Sequence, residues 1–237
     1  MELMGKKGEL GEECKDYGEP IRAGLWVGSS LTPNKVKNAK KSLRDLHNDD
    51  TAPNPFQILS CPWCKSDLRN DNFAGYKFNR RKNNIDFICR NTECDYGDQI
   101  LPISVIDENL YEYPPTLLLG TVDKFAQLSW LQEPKNFLGH KTGSPPSLII
   151  QDELHLISGP LGSIVGHYEV LLQKICKHYG SVPKIIASTA TIKRAEQQVR
   201  SLYNREVAAF PPQGLTYDDS YFAQESKDHN KPGRRYI

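Results

Sequence analysis

Five short apolar runs punctuate the chain: RAGLWVGSS at 22–30, LPISVI at 101–106, TLLLG at 116–120, PSLIIQD at 146–152 and KIIAS at 184–188. Each is closed by Gly, Ser, Pro or acidic residues, the pattern of strands buried on both faces. Between them lie stretches with helical spacing. Residues 33–47 predict a basic surface helix, a further helix starts near Val122, and residues 192–204 predict a helix with a charged outer face. Residues 161–179 place Ile164, Tyr168, Leu171, Leu172 and Ile175 on one helical face. Strands alternating with helices imply an α/β fold with a mainly parallel sheet covered on both sides. Residues 1–20 are polar, NDDTAPNPF at 48–56 reads as a loop and module boundary, and the segment from 211 is rich in turn residues.

Charge looks uninformative in total. Lys and Arg number 30 against 29 Asp and Glu in 237 residues, a net charge of +1. That excludes a polybasic tail and an acidic disordered chain, yet it hides two local basic clusters. Lys35, Lys37, Lys40, Lys41 and Arg44 form one; Lys77, Arg80, Arg81 and Lys82 form the other, interleaved with Tyr76 and Phe78. Each reads either as a solvated face or as a contact to nucleic acid, through phosphates or through stacking on the aromatics. No apolar run approaches the roughly 18–20 residues of a membrane span, and the first residues carry no apolar leader core. The expected location is cytoplasmic, with no membrane partner.

Cysteine changes the picture more. Four of the six cysteines fall in one window, as Cys61-Pro-Trp-Cys64 and Cys89-Arg-Asn-Thr-Glu-Cys94. Paired thiols on two tight turns, separated by a hairpin-length spacer, have the arrangement of a zinc ribbon with structural Zn2+. A redox pair at Cys61 and Cys64 is the rival reading. Cys14 and Cys176 read as ordinary thiols, the latter in a helical core. An insert with its own small core is expected, so that Cys89→Ser would unfold it and spare the sheet.

The richest chemistry is Gln151-Asp152-Glu153-Leu154-His155, directly after the strand SLII. At the carboxyl end of a parallel strand, an Asp can hold Mg2+ through water and the adjacent Glu can deprotonate an attacking water. The alternative is that both acids merely cap the next helix. Ser188-Thr189-Ala190-Thr191 follows the next strand, and Gly120-Thr121-Val122-Asp123-Lys124-Phe125 precedes the acidic one. In this order the three words resemble those of a superfamily 2 helicase of the D-E-x-H type. The resemblance implies a partial RecA-like (P-loop NTPase) sheet, with Asp152 holding Mg2+, Glu153 as general base, and His155 with Ser188 to Thr191 coupling ATP hydrolysis to strand movement. It also implies that Gly120, Thr121 and Lys124 face a nucleic-acid backbone. With GLWVGSSLTPN, the four-cysteine insert and FPPQGL, the chain from about 20 to 225 resembles the helicase subunit of the DISARM antiphage system. That likeness implies DNA ahead of RNA as partner, together with other subunits of a defence complex.

The chain also departs from this pattern. It contains no G-x-x-x-x-G-K-[ST]; GSSLTPNK at 28–35 lacks the second Gly. The residues after the S-T-A-T word are not expected to form a second RecA-like domain, the part that would supply an arginine in the resembled family. The expected division is a polar segment at 1–20, a partial helicase domain at 21–56 and 101–210, a zinc-ribbon insert at 57–100 and an irregular segment at 211–237. The chain alone is expected to hydrolyse ATP poorly, which leaves its enzymatic status open. The runner-up is a non-catalytic zinc-ribbon module that binds nucleic acid on a degenerate helicase scaffold. A zinc hydrolase is disfavoured, because four thiolates leave no open position for water.

Overall fold

The structure is a computed structural model that describes residues 21–49, 51–189, 195–212 and 221–222. The chain divides into two compact units, Met1–Ala190 and Thr191–Ile237. In the first, β1 (Ala23–Trp26) leads into α1 (Val36–Asn48), and the hairpin β2 (Tyr76–Asn79) and β3 (Asn84–Phe87) follows. Next come β4 (Ile103–Ser104), α2 (Asp107–Glu112), β5 (Leu117–Gly120), α3 (Val122–Phe125), β6 (Leu148–Gln151), α4 (Gly159–His178) and β7 (Lys184–Ala187). All five apolar runs contain a strand.

The pairing is parallel wherever apolar runs meet. β1 lies between β4 and β5 and pairs in parallel with both, from Ala23 opposite Leu117 to Trp26 opposite Gly120. β6 pairs in parallel with β7, and α4 makes the crossover. The hairpin alone is antiparallel among the named strands. The expected single sheet is thus two parallel sheets, of three and two strands, among the described residues. Among the described residues, cover on both faces is also not found. Ile149 packs against the buried Leu128, Leu138, Leu172 and Cys176, whereas its neighbours Leu148 and Ile150 point the other way and are exposed, Ile150 by 65%. Leu117 and Leu119 of β5 are exposed in the same manner. A continuous apolar run therefore marks a strand without showing that both faces are covered. Ile150→Lys is accordingly expected to change stability by no more than about 0.5 kcal/mol, as at a surface position. A urea-denaturation loss of several kcal/mol would show instead that the position is buried.

Helix α4 forms where periodicity places it, but its buried positions are Val165, Glu169, Leu172 and Cys176. Leu171 and Ile175 of the expected face are partly buried against the same cluster, so the face is turned only in part, and Ile164 is exposed. The rotation follows from the contact: Leu172 and Cys176 meet Leu128 and Leu138, which lie on two short 3-10 turns (Ala126–Ser129 and Glu133–Leu138).

The larger core crosses the expected module boundary. Val36, Ala39, Leu43 and Leu46 of α1 share one cluster with Phe56, Tyr76, Ile85, Phe87, Leu101 and Ile106. Edge-to-face rings join Phe56 to Tyr76 at 5.4 Å and Tyr76 to Phe87 at 5.5 Å. The cysteine-bearing segment has no separate core; α1 completes it. On β1, Trp26 is fully buried among Tyr111, Phe125 and Phe137. At Gly24 a Cβ would lie 2.6 Å from Leu110 and Pro115, so only glycine lets α2 approach the strand.

The second unit contains α5 (Ala195–Tyr203), which buries Leu202 and Tyr203. There Phe210 contacts the rings of Tyr221 and Phe222 at 4.9 and 5.9 Å.

Candidate functional site

Two chemical centres lie in the first unit. The cysteine centre is built from two tight turns. In the first, the Lys65 amide donates to the Cys61 carbonyl (2.9 Å), the Cys61 amide donates to the Ser66 carbonyl (2.8 Å), and Lys65 takes a left-handed φ of 64°. In the second, the Gly97 amide donates to the Cys94 carbonyl (2.7 Å) and the Asp98 amide to the Cys89 carbonyl (2.8 Å). A Cβ at Gly97 would meet the Asn91 carbonyl at 2.8 Å, so this turn needs glycine. The Trp63 indole donates to Asp95 (3.1 Å), bridging the turns.

These turns aim the sulfurs of Cys61, Cys64, Cys89 and Cys94 at one point. All four lie within 4.8 Å of one another, with Cys64 to Cys89 at 3.6 Å and Cys61 to Cys94 at 4.0 Å. A tetrahedron with metal–sulfur bonds of about 2.3 Å has edges of about 3.8 Å, so the spacing suits a metal such as zinc. None of the four is in a disulfide, and the sulfurs gather as a set of four rather than as a Cys61–Cys64 pair. The Ser66 hydroxyl lies 3.2 Å from the Cys64 sulfur and holds that thiol at about 6, largely as a thiolate at neutral pH. Burial pushes Cys89 up to about 12. A thiol so raised needs a cation to deprotonate it, which is what a metal supplies. Asn91 in turn donates to the Ser66 hydroxyl (3.2 Å). Neither residue is singled out by the cysteine spacing, although Ser66 stands only two positions after Cys64.

The second centre is the acidic end of β6. Asp152 and Glu153 are exposed. The Asp152 carboxylate accepts from the Ser188 hydroxyl and from the Glu153 amide (3.0 Å). Those bonds, Ser188 first, hold Asp152 below the usual carboxylate range, so it is ionised at neutral pH. The backbone locks the same pair of strand ends: the Ser188 amide donates to the Gln151 carbonyl and the Leu154 amide to the Ser188 carbonyl, both at 2.9 Å. Glu153 takes a left-handed φ of 51°, a conformation costing a non-glycine residue about 1 kcal/mol or more, and its carboxylate lies 3.2 Å from His155 Nδ1. The capping alternative holds in part: Glu153 is the N-cap of the 3-10 turn Leu154–Leu156, without a side-chain cap bond, whereas α4 is capped at Ser158. The fold thus brings Asp152, Glu153, His155, Ser188 and Thr189 to adjacent strand ends, while Ala190 and Thr191 lie outside the described residues.

The G-T word is divided by the fold. Gly120 ends β5 and Thr121 is exposed beside it. Lys124, expected at a phosphate backbone, is instead buried, its ammonium 2.6 Å from Asp107 of α2. Tyr111, also of α2, donates to Asp107 (3.4 Å) and accepts from the Trp26 indole (3.0 Å). A four-residue helix turns Lys124 inward, and a helix the apolar pattern does not reveal supplies its partner. Lys77, Arg80, Arg81 and Lys82 are exposed on the hairpin as expected, but the aromatics among them are not free to stack. Tyr76 is buried, with its hydroxyl bonded to the Ile58 carbonyl (2.9 Å), and the Lys40 ammonium lies 4.2 Å over the Phe78 ring.

No described helix is long and apolar enough to cross a membrane. No protein-family model matches the chain. A solved structure, that of the DUF1998 helicase MrfA, aligns with 83% of this chain and 23% of its own, at 17% identity and a TM-score of 0.32. The chain is 33% identical, over 254 aligned residues, to the DISARM protein DrmA of Bacillus paralicheniformis. It spans 23% of that relative's length. Over 90% of its residues, then, this chain is similar to one part of the DISARM protein DrmA.

Proposed function

We propose that the chain is the part of an ATP-dependent nucleic-acid helicase or translocase that carries its water-activating carboxylates, acting in antiphage defence. The observation that carries this reading is the Ser188 hydroxyl on Asp152, which joins the D-E-x-H and S-T-A-T words at neighbouring parallel strand ends. On this reading the parallel strands belong to a RecA-like sheet. Asp152, ionised, holds Mg2+ through water; Glu153, steadied by His155, takes the proton of the attacking water. Ser188 to Thr191 report the state of that carboxylate to the nucleic-acid side, where Gly120 and Thr121 meet the backbone. Zinc at the four cysteines is structural, and DNA is preferred to RNA. The chain holds no phosphate loop, so the triphosphate cradle has to come from other chain segments.

The test is phosphate release stimulated by DNA. The chain alone is expected to release phosphate no faster than its Glu153→Gln variant. In a longer polypeptide that includes a phosphate loop, Glu153→Gln is expected to lower release by about 100-fold or more, the usual share of a general base. Equal rates for the two long forms would sink the assignment of Glu153. A second reading, a non-catalytic zinc-ribbon module that binds nucleic acid, is favoured by the missing loop and the fully built cysteine centre. It predicts salt-dependent binding that survives Asp152→Ala, with no hydrolysis in any longer form.

A further inference from the structure

Two basic clusters far apart in sequence hang on one small helix. The Asn109 side-chain amide of α2 donates to the Asn83 carbonyl at the hairpin tip (3.2 Å). The neighbouring Glu108 carboxylate accepts from the Val36 amide at the start of α1 (2.7 Å). The Lys40 ammonium over Phe78 closes a third link, from α1 to β2. The tip itself is ordered: the Asn79 side-chain oxygen accepts from the Arg81 and Lys82 amides, at 3.1 and 3.2 Å. Lys37, Lys41 and Arg44 recur at helical spacing on the face of α1 that also carries Lys40, and all three are exposed. Arg80, Arg81 and Lys82 are exposed on the tip. None of the six is ion-paired to a described residue; acids on the same elements include Asp45, exposed on α1, Asp86, buried on β3 and bonded to the Asn79 side-chain amide, and Glu108, already engaged with Val36.

We propose that these six residues form one continuous track for the phosphate backbone of nucleic acid, held in shape by the cysteine centre. The proposal rests on the nucleic-acid reading above and adds where the strand runs. Long charged side chains cost free energy when crowded without counter-charge, and a polyanion supplies it by releasing its own condensed cations. With Tyr76 buried and Phe78 covered, the track offers charge and no stacking platform, so its binding is independent of base sequence.

The experiment measures binding of a labelled single-stranded DNA of about 20 nucleotides across a salt series. Two triple variants are compared, Lys37→Ala with Lys41→Ala and Arg44→Ala, and Arg80→Ala with Arg81→Ala and Lys82→Ala. Each is expected to bind about tenfold more weakly or worse and to flatten the log–log salt slope by about 2, three contacts at roughly 0.7 each. The single Arg81→Glu change is expected to weaken binding in the same direction, with α1 helicity and metal content retained. One strand per chain is expected; two strands per chain would mean two separate patches and would overturn the track. Unchanged slopes in both triples, with hydrolysis still dependent on Glu153 in the longer form, would overturn the track and leave the motor reading standing. No DNA binding by the unsubstituted chain at low salt would overturn both.

Discussion

Replacing Lys124 with alanine is expected to lower stability by about 3–5 kcal/mol, the usual cost of breaking a buried ion pair by removing one partner. Asp107 and Lys124 are 4% and 3% exposed, and the variant leaves the buried carboxylate with no ammonium beside it, held by the neutral donors of Tyr111 and Trp26. Burial already raises the Asp107 carboxyl above its ordinary range even with Lys124 beside it. Without the ammonium this shift grows, which sets the sign of the pH dependence. A carboxyl whose pKa is raised on folding contributes fully below its unfolded value of about 3.9 and loses that contribution as pH rises through the folded value. The deficit of the variant is therefore smaller in acid than at neutral pH. Replacing both partners, Asp107→Leu with Lys124→Met, is expected to recover most of the loss. Urea denaturation at two pH values measures all three. A loss below about 1 kcal/mol for Lys124→Ala, with unchanged DNA binding, would mean the pair is not buried in solution.

Stripping metal from the cysteine centre is expected to have the larger reach. Metal binding in small four-ligand sites supplies about 10–16 kcal/mol, comparable to the whole stability of a domain. Chelation, or Cys89→Ser, should therefore unfold the hairpin and its two turns. Because Ala39, Leu43 and Leu46 of α1 close the same core, α1 should lose its helicity with them. Amide exchange at Leu43 and Leu46 after chelation reads this directly. Protection that persists there would show that the cysteine-bearing segment does have a core of its own, as its spacing alone suggests. About one zinc per chain is expected before chelation.

Much of this was legible along the chain. The five apolar runs mark five of the seven strands of the first unit, and charge interleaved with aromatics marks the hairpin that supplies the other two. Two close cysteine pairs announce a cluster because a tight turn leaves few directions for its sulfurs. The D-E-x-H word after an apolar strand announces carboxylates at a strand end, because a parallel strand ending in acids has its carboxyl end near solvent. Other features needed contacts between distant residues. Helix α2 is six residues long, too short for periodicity to show, yet it holds Lys124 through Asp107, α1 through Glu108, the hairpin tip through Asn109 and Trp26 through Tyr111.

The local order of residues was thus enough to establish the apolar strands, the longer helices, the cysteine cluster and the acidic strand end, since each depends on neighbours within one strand, helix or turn. Which faces are buried, where Lys124 points, and that two basic clusters share one scaffold were decided by packing. Burial and ion pairing depend on what lies across space, and no spacing along the chain encodes whether Asp107 meets Lys124 or whether α1 closes the core beneath the cysteines.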